Sequence, residues 1–159
     1  MMNKVAALIA VYAGDQPEYF REALQSLKYQ TYVQTDIVLV IDGTIGEPLQ
    51  NVVEEFRPEI SQIIATEKNL GLAAALNTGL KYCFRMNYEF IARMDADDIA
   101  LPDRFEKQIK HLEHQPGTDI VGGAIQEIDE NSFSKGKTVY YPESHEACFK
   151  FFAKRDPVA

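Results

Sequence analysis

The chain has 159 residues, of which 46% are hydrophobic and 25% charged. That is enough for one domain to bury roughly 70% of its unfolded surface without disulfides or metal staples. Its 16 basic and 24 acidic residues leave a net charge of −8, which repels phosphate backbones and argues against nucleic acid as a partner. No apolar run approaches the roughly 18 residues of a membrane span.

The opening residues Met1, Met2 and Asn3 lead straight into residues 5–11 (VAALIAV), without the parts of a signal peptide. This apolar run reads as a strand covered on both faces. Asp15 and Glu18 have the spacing of a capping box for a helix that carries Phe20, Ala23, Leu24 and Leu27 on one face. Residues 37–41 (IVLVI) form a second strand ending at Asp42-Gly43, and Leu49, Val52, Val53 and Phe56 repeat as one helix face that Pro58 limits. Residues 60–65 read as a third, weaker strand. Leu72, Leu76, Gly79, Leu80 and Cys83 mark a third helix face, opened by Asn69-Leu70-Gly71. Residues 89–94 (EFIARM) form a fourth strand that runs into Asp95-Ala96-Asp97-Asp98. Pro102 suits the first turn of a helix whose buried face is Phe105, Ile109 and Leu112. Residues 119–125 are expected as a fifth strand, and beyond residue 129 the pattern weakens.

Strands alternating with helices imply βαβ units and a mostly parallel sheet, in which ligands bind beyond the carboxyl ends of the strands. The polar residues that look out of place all follow strands: Tyr12, Asp42, Asn69 and the Asp95 cluster. Three aspartates in four residues repel one another unless they share a cation, and hard carboxylate oxygens suit Mg2+ or Mn2+. The alternative is a solvated acidic turn. An EF-hand fails because Ile99 and Ala100 stand where a ligand and a glycine are required. The turn after the first strand, Tyr12-Ala13-Gly14-Asp15, is not a dinucleotide fingerprint, and the chain holds no glycine-rich phosphate loop. An anionic diphosphate would therefore need a bridging cation. Asp42 before Gly43 reads either as a base- or ribose-binding carboxylate or as a plain turn residue. For Gly71 and Gly79 capping and close packing are the simpler reading.

Residues 69–79 (NLGLAAALNTG) followed by 91–104 (IARMDADDIALPDR) resemble the family-2 glycosyltransferases of the GT-A fold, and residues 26–32 (SLKYQTY) are similar to that family's S-x-x-x-Q-T segment. The resemblance runs in order from residue 4 to about residue 129. It implies an α/β fold, a three-layer α/β/α domain with a mostly parallel central sheet. It also implies a metal-dependent inverting transfer from a nucleotide-diphosphate sugar, usually a UDP-sugar. The acceptor would be a glycan or a lipid-linked hydroxyl in surface polysaccharide synthesis. Residues 10–12, with Ala10 and Tyr12, would line the base pocket, and Asp42 would bind the uracil. Asp95, Ala96 and Asp97 match the D-x-D motif: Asp97 would be the main ligand of Mn2+ or Mg2+, with Asp95 near the ribose or metal and Asp98 in support. Lys68, Asn69 and Arg93 would neighbour the nucleotide. Ile41 and Thr44 depart from the family's D-D-G-S.

The family places its catalytic base well beyond the metal site. That base is expected beyond Ala159, and no residue of 1–159 is assigned the role. The whole chain is therefore expected to be one nucleotide-sugar-binding domain, truncated on its acceptor side. Two readings compete: a non-catalytic nucleotide-sugar or metal-binding module, and a sugar nucleotidyltransferase. The latter would need a glycine-rich, arginine-containing loop that residues 12–17 do not provide. His111 and His114 read as surface residues and Cys83 as core. The two cysteines, Cys83 and Cys148, show no motif spacing and fit a reducing, cytoplasmic location. Tyr140, Tyr141, Phe149, Phe151 and Phe152 read first as core, with a dimer surface or a peripheral contact with the inner membrane face as alternatives.

Overall fold

The computed structural model describes residues 4–153. In chain order the elements are β1 (Val5–Tyr12), α1 (Pro17–Lys28), β2 (Thr35–Asp42), α2 (Glu47–Glu55), β3 (Ile60–Ala65), α3 (Leu72–Arg85), β4 (Phe90–Met94), α4 (Arg104–His114), β5 (Ile125–Ile128), β6 (Ser134–Val139) and α5 (His145–Phe152). The chain divides into two compact units at Lys107/Gln108.

The first unit is built on a four-stranded parallel sheet of order β3-β2-β1-β4. β1 is buried along its length except at Tyr12, as its unbroken apolar run demands. Each parallel connection in such a sheet is right-handed. The chain steps one way from β1 to β2 to β3, then returns past β1 to β4, so α1 and α2 cover one face and α3 the other. On the α3 face Ala6, Leu8, Ala10, Val38, Val40, Ala75 and Cys83 form one core cluster. Gly79 lets α3 approach closely: a Cβ there would collide with Leu8 and meet Val40 at 3.0 Å. Close packing is therefore its role, as the sequence suggests. α1 and α2 pack on each other and bury Phe20, Ala23, Leu24, Leu27, Leu49, Val52 and Val53.

Several expectations are corrected. Asp15 does not cap α1, which starts after Gln16 without a side-chain cap; its carboxylate accepts a bond from the Tyr12 amide at 2.9 Å instead. Leu72 is exposed, because the buried stripe of α3 runs through Ala75, Gly79 and Cys83. Pro17 and Pro48 occupy helix first turns, but Pro102 precedes α4 and offers its carbonyl to the Thr31 amide at 2.8 Å. Residues 119–124 are not a fifth parallel strand; the Gly122-Gly123 pair weakens strand propensity there.

In the second unit β5 pairs antiparallel with β6 as a separate hairpin. Asp129 closes its turn by accepting the amides of Asn131 and Phe133 at 2.9 and 3.0 Å. Ser144 caps α5. Tyr141 and Phe151 meet edge to face at 6.4 Å, whereas Tyr140, Phe149 and Phe152 are exposed and not core. Among the described residues no helix is long and apolar enough to cross a membrane.

Candidate functional site

Because all four main strands are parallel, Tyr12, Asp42, Ala65 and Met94 end along one edge. The strand order reverses between β1 and β4, which is where an open α/β sheet leaves a crevice. β4 pairs with β1 only up to Ile9↔Met94, while β1 runs on to Tyr12. The segment that starts at Asp95 therefore leaves the sheet beside the last three residues of β1.

The β1 end is a closed turn. The Asp15 amide donates to the Tyr12 carbonyl at 3.1 Å while the Asp15 carboxylate takes the Tyr12 amide. The Tyr12 ring lies against Gly14, where a Cβ would come within 2.5 Å of it, and is about half exposed. Ala10, expected to line a base pocket with Tyr12, is 9% exposed and packs in the core cluster under α3.

At the β2 end Asp42 is only 4% exposed. Its Oδ1 accepts from the Leu70 amide at 2.9 Å and lies 3.0 Å from the Thr66 hydroxyl; its Oδ2 accepts from the Gly71 amide at 2.9 Å. Thr66 in turn accepts the Gly43 amide at 2.9 Å. Gly43 has φ +81°, and a Cβ there would sit 2.6 Å from the Asn69 nitrogen, so only glycine fits. Asp42 thus ties the strand end to the loop before α3. Thr66 is a partner that no spacing in the sequence announces. Lys68 and Asn69 are exposed on this loop, and Asn69 Oδ1 accepts the Gly71 amide at 3.0 Å.

At the β4 end the Arg93 guanidinium reaches both oxygens of Asp95, at 2.6 and 2.7 Å. Arg104 donates to the Arg93 carbonyl at 3.0 Å and contacts the Met94 sulfur at 3.3 Å. Ala96 is buried, whereas Asp97 and Asp98 are exposed. The carboxylates feel one another. Although its side chain reaches solvent, partial desolvation in the loop, then Asp95 and Asp97, push Asp98 above its ordinary pKa. Burial raises Asp15 as well, and Asp97 and Asp95 add to that rise. Asp15, in the turn after β1, is thus a fourth carboxylate that interacts electrostatically with the cluster, missed because its spacing suggests a cap. Burial lowers the pKa of Arg104, opposed by Asp98 and Asp95.

Asp95, Asp97 and Asp98, expected together as metal ligands, do not form a cage: among the described residues no three acidic, histidine or cysteine side chains converge on one point. The donor set still suits a hard cation. Mg2+ commonly takes one or two carboxylates and completes its shell with waters and substrate phosphates. Exposed Asp97 beside mutually repelling carboxylates fits that mode. The catalytic base expected beyond Ala159 lies outside the described residues, as does Ala159 itself. His111 and His114 are exposed, and Cys83 is fully buried, as read from the sequence.

The model of the family described as Glycosyl transferase family 2 matches residues 7–156. The amylovoran biosynthesis glycosyltransferase AmsE of Erwinia amylovora is 39% identical over 96% of this chain and 56% of its own length. The UDP-Gal:alpha-D-GlcNAc-diphosphoundecaprenol beta-1,3-galactosyltransferase of Escherichia coli is 30% identical over 97% of this chain and 55% of its own. The chain therefore spans little more than half the length of these curated relatives. Among solved structures, the mannosyltransferase PcManGT of Pyrobaculum calidifontis, in complex with GDP-Man and Mn2+, matches at TM-score 0.60 and 20% identity, covering 82% of this chain and 36% of that one.

Proposed function

The chain belongs to glycosyl transferase family 2, and from that premise we propose that it is the donor-binding part of an enzyme moving a sugar from a nucleotide-diphosphate sugar to a glycan or lipid-linked acceptor in surface polysaccharide synthesis. One observation carries the reading: the Asp95–Asp98 turn leaves β4 at the point where the strand order reverses, beside the end of β1. A sheet of this kind binds ligands there.

Asp97 would hold Mn2+ or Mg2+, with Asp95 next to it. The bound cation supplies neutralisation of the diphosphate leaving group. Arg93 pairs with Asp95 and stands ready to meet phosphate oxygens when that carboxylate turns to a cation. Lys68 and Asn69 are exposed on the neighbouring loop, within the same edge, where the nucleotide would lie. Asp42 acts behind them by fixing that loop. The exposed Tyr12 ring offers a stacking face to the base. A UDP-sugar is the preferred donor because a relative that covers 97% of this chain is named for one. A Mn2+ complex in a fold neighbour supports the metal. Inverting displacement calls for a base on the acceptor side, and no described residue is assigned to it.

Calorimetry with UDP, CDP and GDP in MnCl2 or in EDTA tests the reading. UDP should bind at least about tenfold more tightly with Mn2+, the worth of one charge-assisted contact, and Asp97→Asn should remove that gain while the melting temperature holds. Equal UDP affinity in Mn2+ and EDTA would sink it.

A further inference from the structure

We infer that Ser26 and Gln30, on and just past α1, are positioning residues that lock the loop carrying Asp95, Asp97 and Asp98. The inference rests on the metal reading for its consequence, but on geometry for its substance. Residues 95–101 leave β4 and have one turn bond of their own, from the Asp98 amide to the Asp95 carbonyl at 3.4 Å. The loop's start is fixed by the pairing of β4 with β1. Its far end is held from α1. The Ser26 hydroxyl accepts the Ala100 amide at 3.0 Å and donates to the Ala23 carbonyl at 2.7 Å. The Gln30 amide group donates to the Leu101 carbonyl at 2.8 Å and lies 3.2 Å from the Ser26 carbonyl. Its carbonyl accepts the Phe105 amide at 3.1 Å. The Thr31 amide then donates to the Pro102 carbonyl at 2.8 Å, and the Thr31 hydroxyl donates to Glu106 at 2.8 Å.

Gln30 is 9% exposed, and it and Asp42 are the two buried polar side chains among the described residues. A buried carboxamide that satisfies an N–H and a C=O of one distant segment substitutes for missing secondary structure there. Ala96 and Ala100 are buried while Asp97, Asp98 and Ile99 between them are exposed, so the loop is anchored at both flanks and presents its acidic tip outward. Without the α1 contacts one flank is lost, and carboxylates that repel one another would spread. A cation that takes its ligands from one short loop would then have to order that loop on binding.

The test compares backbone amide exchange in the metal-free 159-residue chain across wild type, Ser26→Ala, Gln30→Met and Tyr88→Phe. Tyr88→Phe is the reference, removing a hydroxyl at the opposite edge of the sheet. Exchange at residues 96–101 should rise about tenfold in the two α1 variants and stay put in Tyr88→Phe, one hydrogen bond being worth about that factor locally. Mn2+ affinity in the presence of UDP should fall about tenfold or more in the α1 variants, in the range that the loss of a group supporting a metal's ligands produces, and Ser26→Thr, which keeps the hydroxyl, should restore it. Exchange that rises equally across the sheet, or an equal loss of Mn2+ affinity in Tyr88→Phe, would overturn the positioning role. If wild type shows no Mn2+-dependent UDP binding, the metal reading fails, and the exchange pattern alone decides the lock.

Discussion

The two edges of the parallel sheet use the same kinds of side chain to opposite ends. At the amino edge Asp36 accepts from Lys4 at 2.7 Å, from Tyr88 at 2.8 Å and from Ser61 at 3.0 Å. Burial alone would raise its pKa, but these donors outweigh it and hold the group below the usual carboxylate range. At the carboxyl edge Asp15 and Asp98 are raised, first by burial and then by other carboxylates. A polar cluster that serves only folding settles its charges internally; one left unsettled is a candidate for binding. Asp42 belongs by position to the second edge and by chemistry to the first.

Breaking Asp42 should therefore have the largest effect on stability. Asp42→Ala removes a buried carboxylate that accepts the Leu70 and Gly71 amides, a cost of about 2 kcal/mol in urea unfolding. Nucleotide affinity should fall through disorder of residues 66–71 while its Mn2+ dependence persists. A stability unchanged from wild type would return Asp42 to direct ligand contact.

At the amino edge Tyr88→Phe should cost about 1 kcal/mol, one hydrogen bond to a charged group that is partly solvated. Thermal melts across pH sharpen the contrast. Asp36 is lowered from 3.8, so its contribution is present above that pH and is lost as pH falls through its lower folded value. Tyr88 is pushed up to about 12 from 10.0, chiefly by burial and then by its bond to Asp36. Its contribution is complete below pH 10.0 and lost as pH rises towards 12. Lys4, raised from 10.5 mainly by its bond to Asp36, adds to the same alkaline limb. Tyr88→Phe should flatten that limb, and an unaltered alkaline limb would show that the tyrosine does not carry it.

The smallest effect is expected at the unsettled edge. Asp98 is raised from 3.8, so its ionisation costs stability, a cost that sets in as pH rises past 3.8 and is complete above its folded value. Asp98→Asn should raise the melting temperature slightly at pH 7, with the gain vanishing in acid. A lowered melting temperature at pH 7 would show that the carboxylate is settled by partners after all.

The elements up to α4 are legible in the sequence because each has a local cause. Residues 60–65 match β3 to the residue, and the expected β1, β2 and β4 agree within two at each end, since a run of buried β-branched and aliphatic residues leaves little choice. The aspartate turn is visible because charge clusters straight after an apolar strand. The family follows from motif order over most of the chain. Beyond α4 the reading fails: residues 119–124 look like a strand but lack a neighbour that pairs with them among the described residues, and β6 is polar enough, SKGKTV, to hide a hairpin.

Sequence alone thus determined the four parallel strands, most of the helix faces packed on them and the edge at which those strands end, because periodicity and strand polarity are local properties. Tertiary structure decided which polar groups are spent and which are available. Pairing order put the Asp15 turn on the same sheet edge as Asp95 and Asp97, packed Ala10 in the core cluster, and closed Thr66, Leu70 and Gly71 around Asp42. A hydrogen bond between residues 24 to 29 positions apart, or 75 apart for Gln30 and Phe105, leaves no periodic trace in the chain. Only folding brings its two ends together.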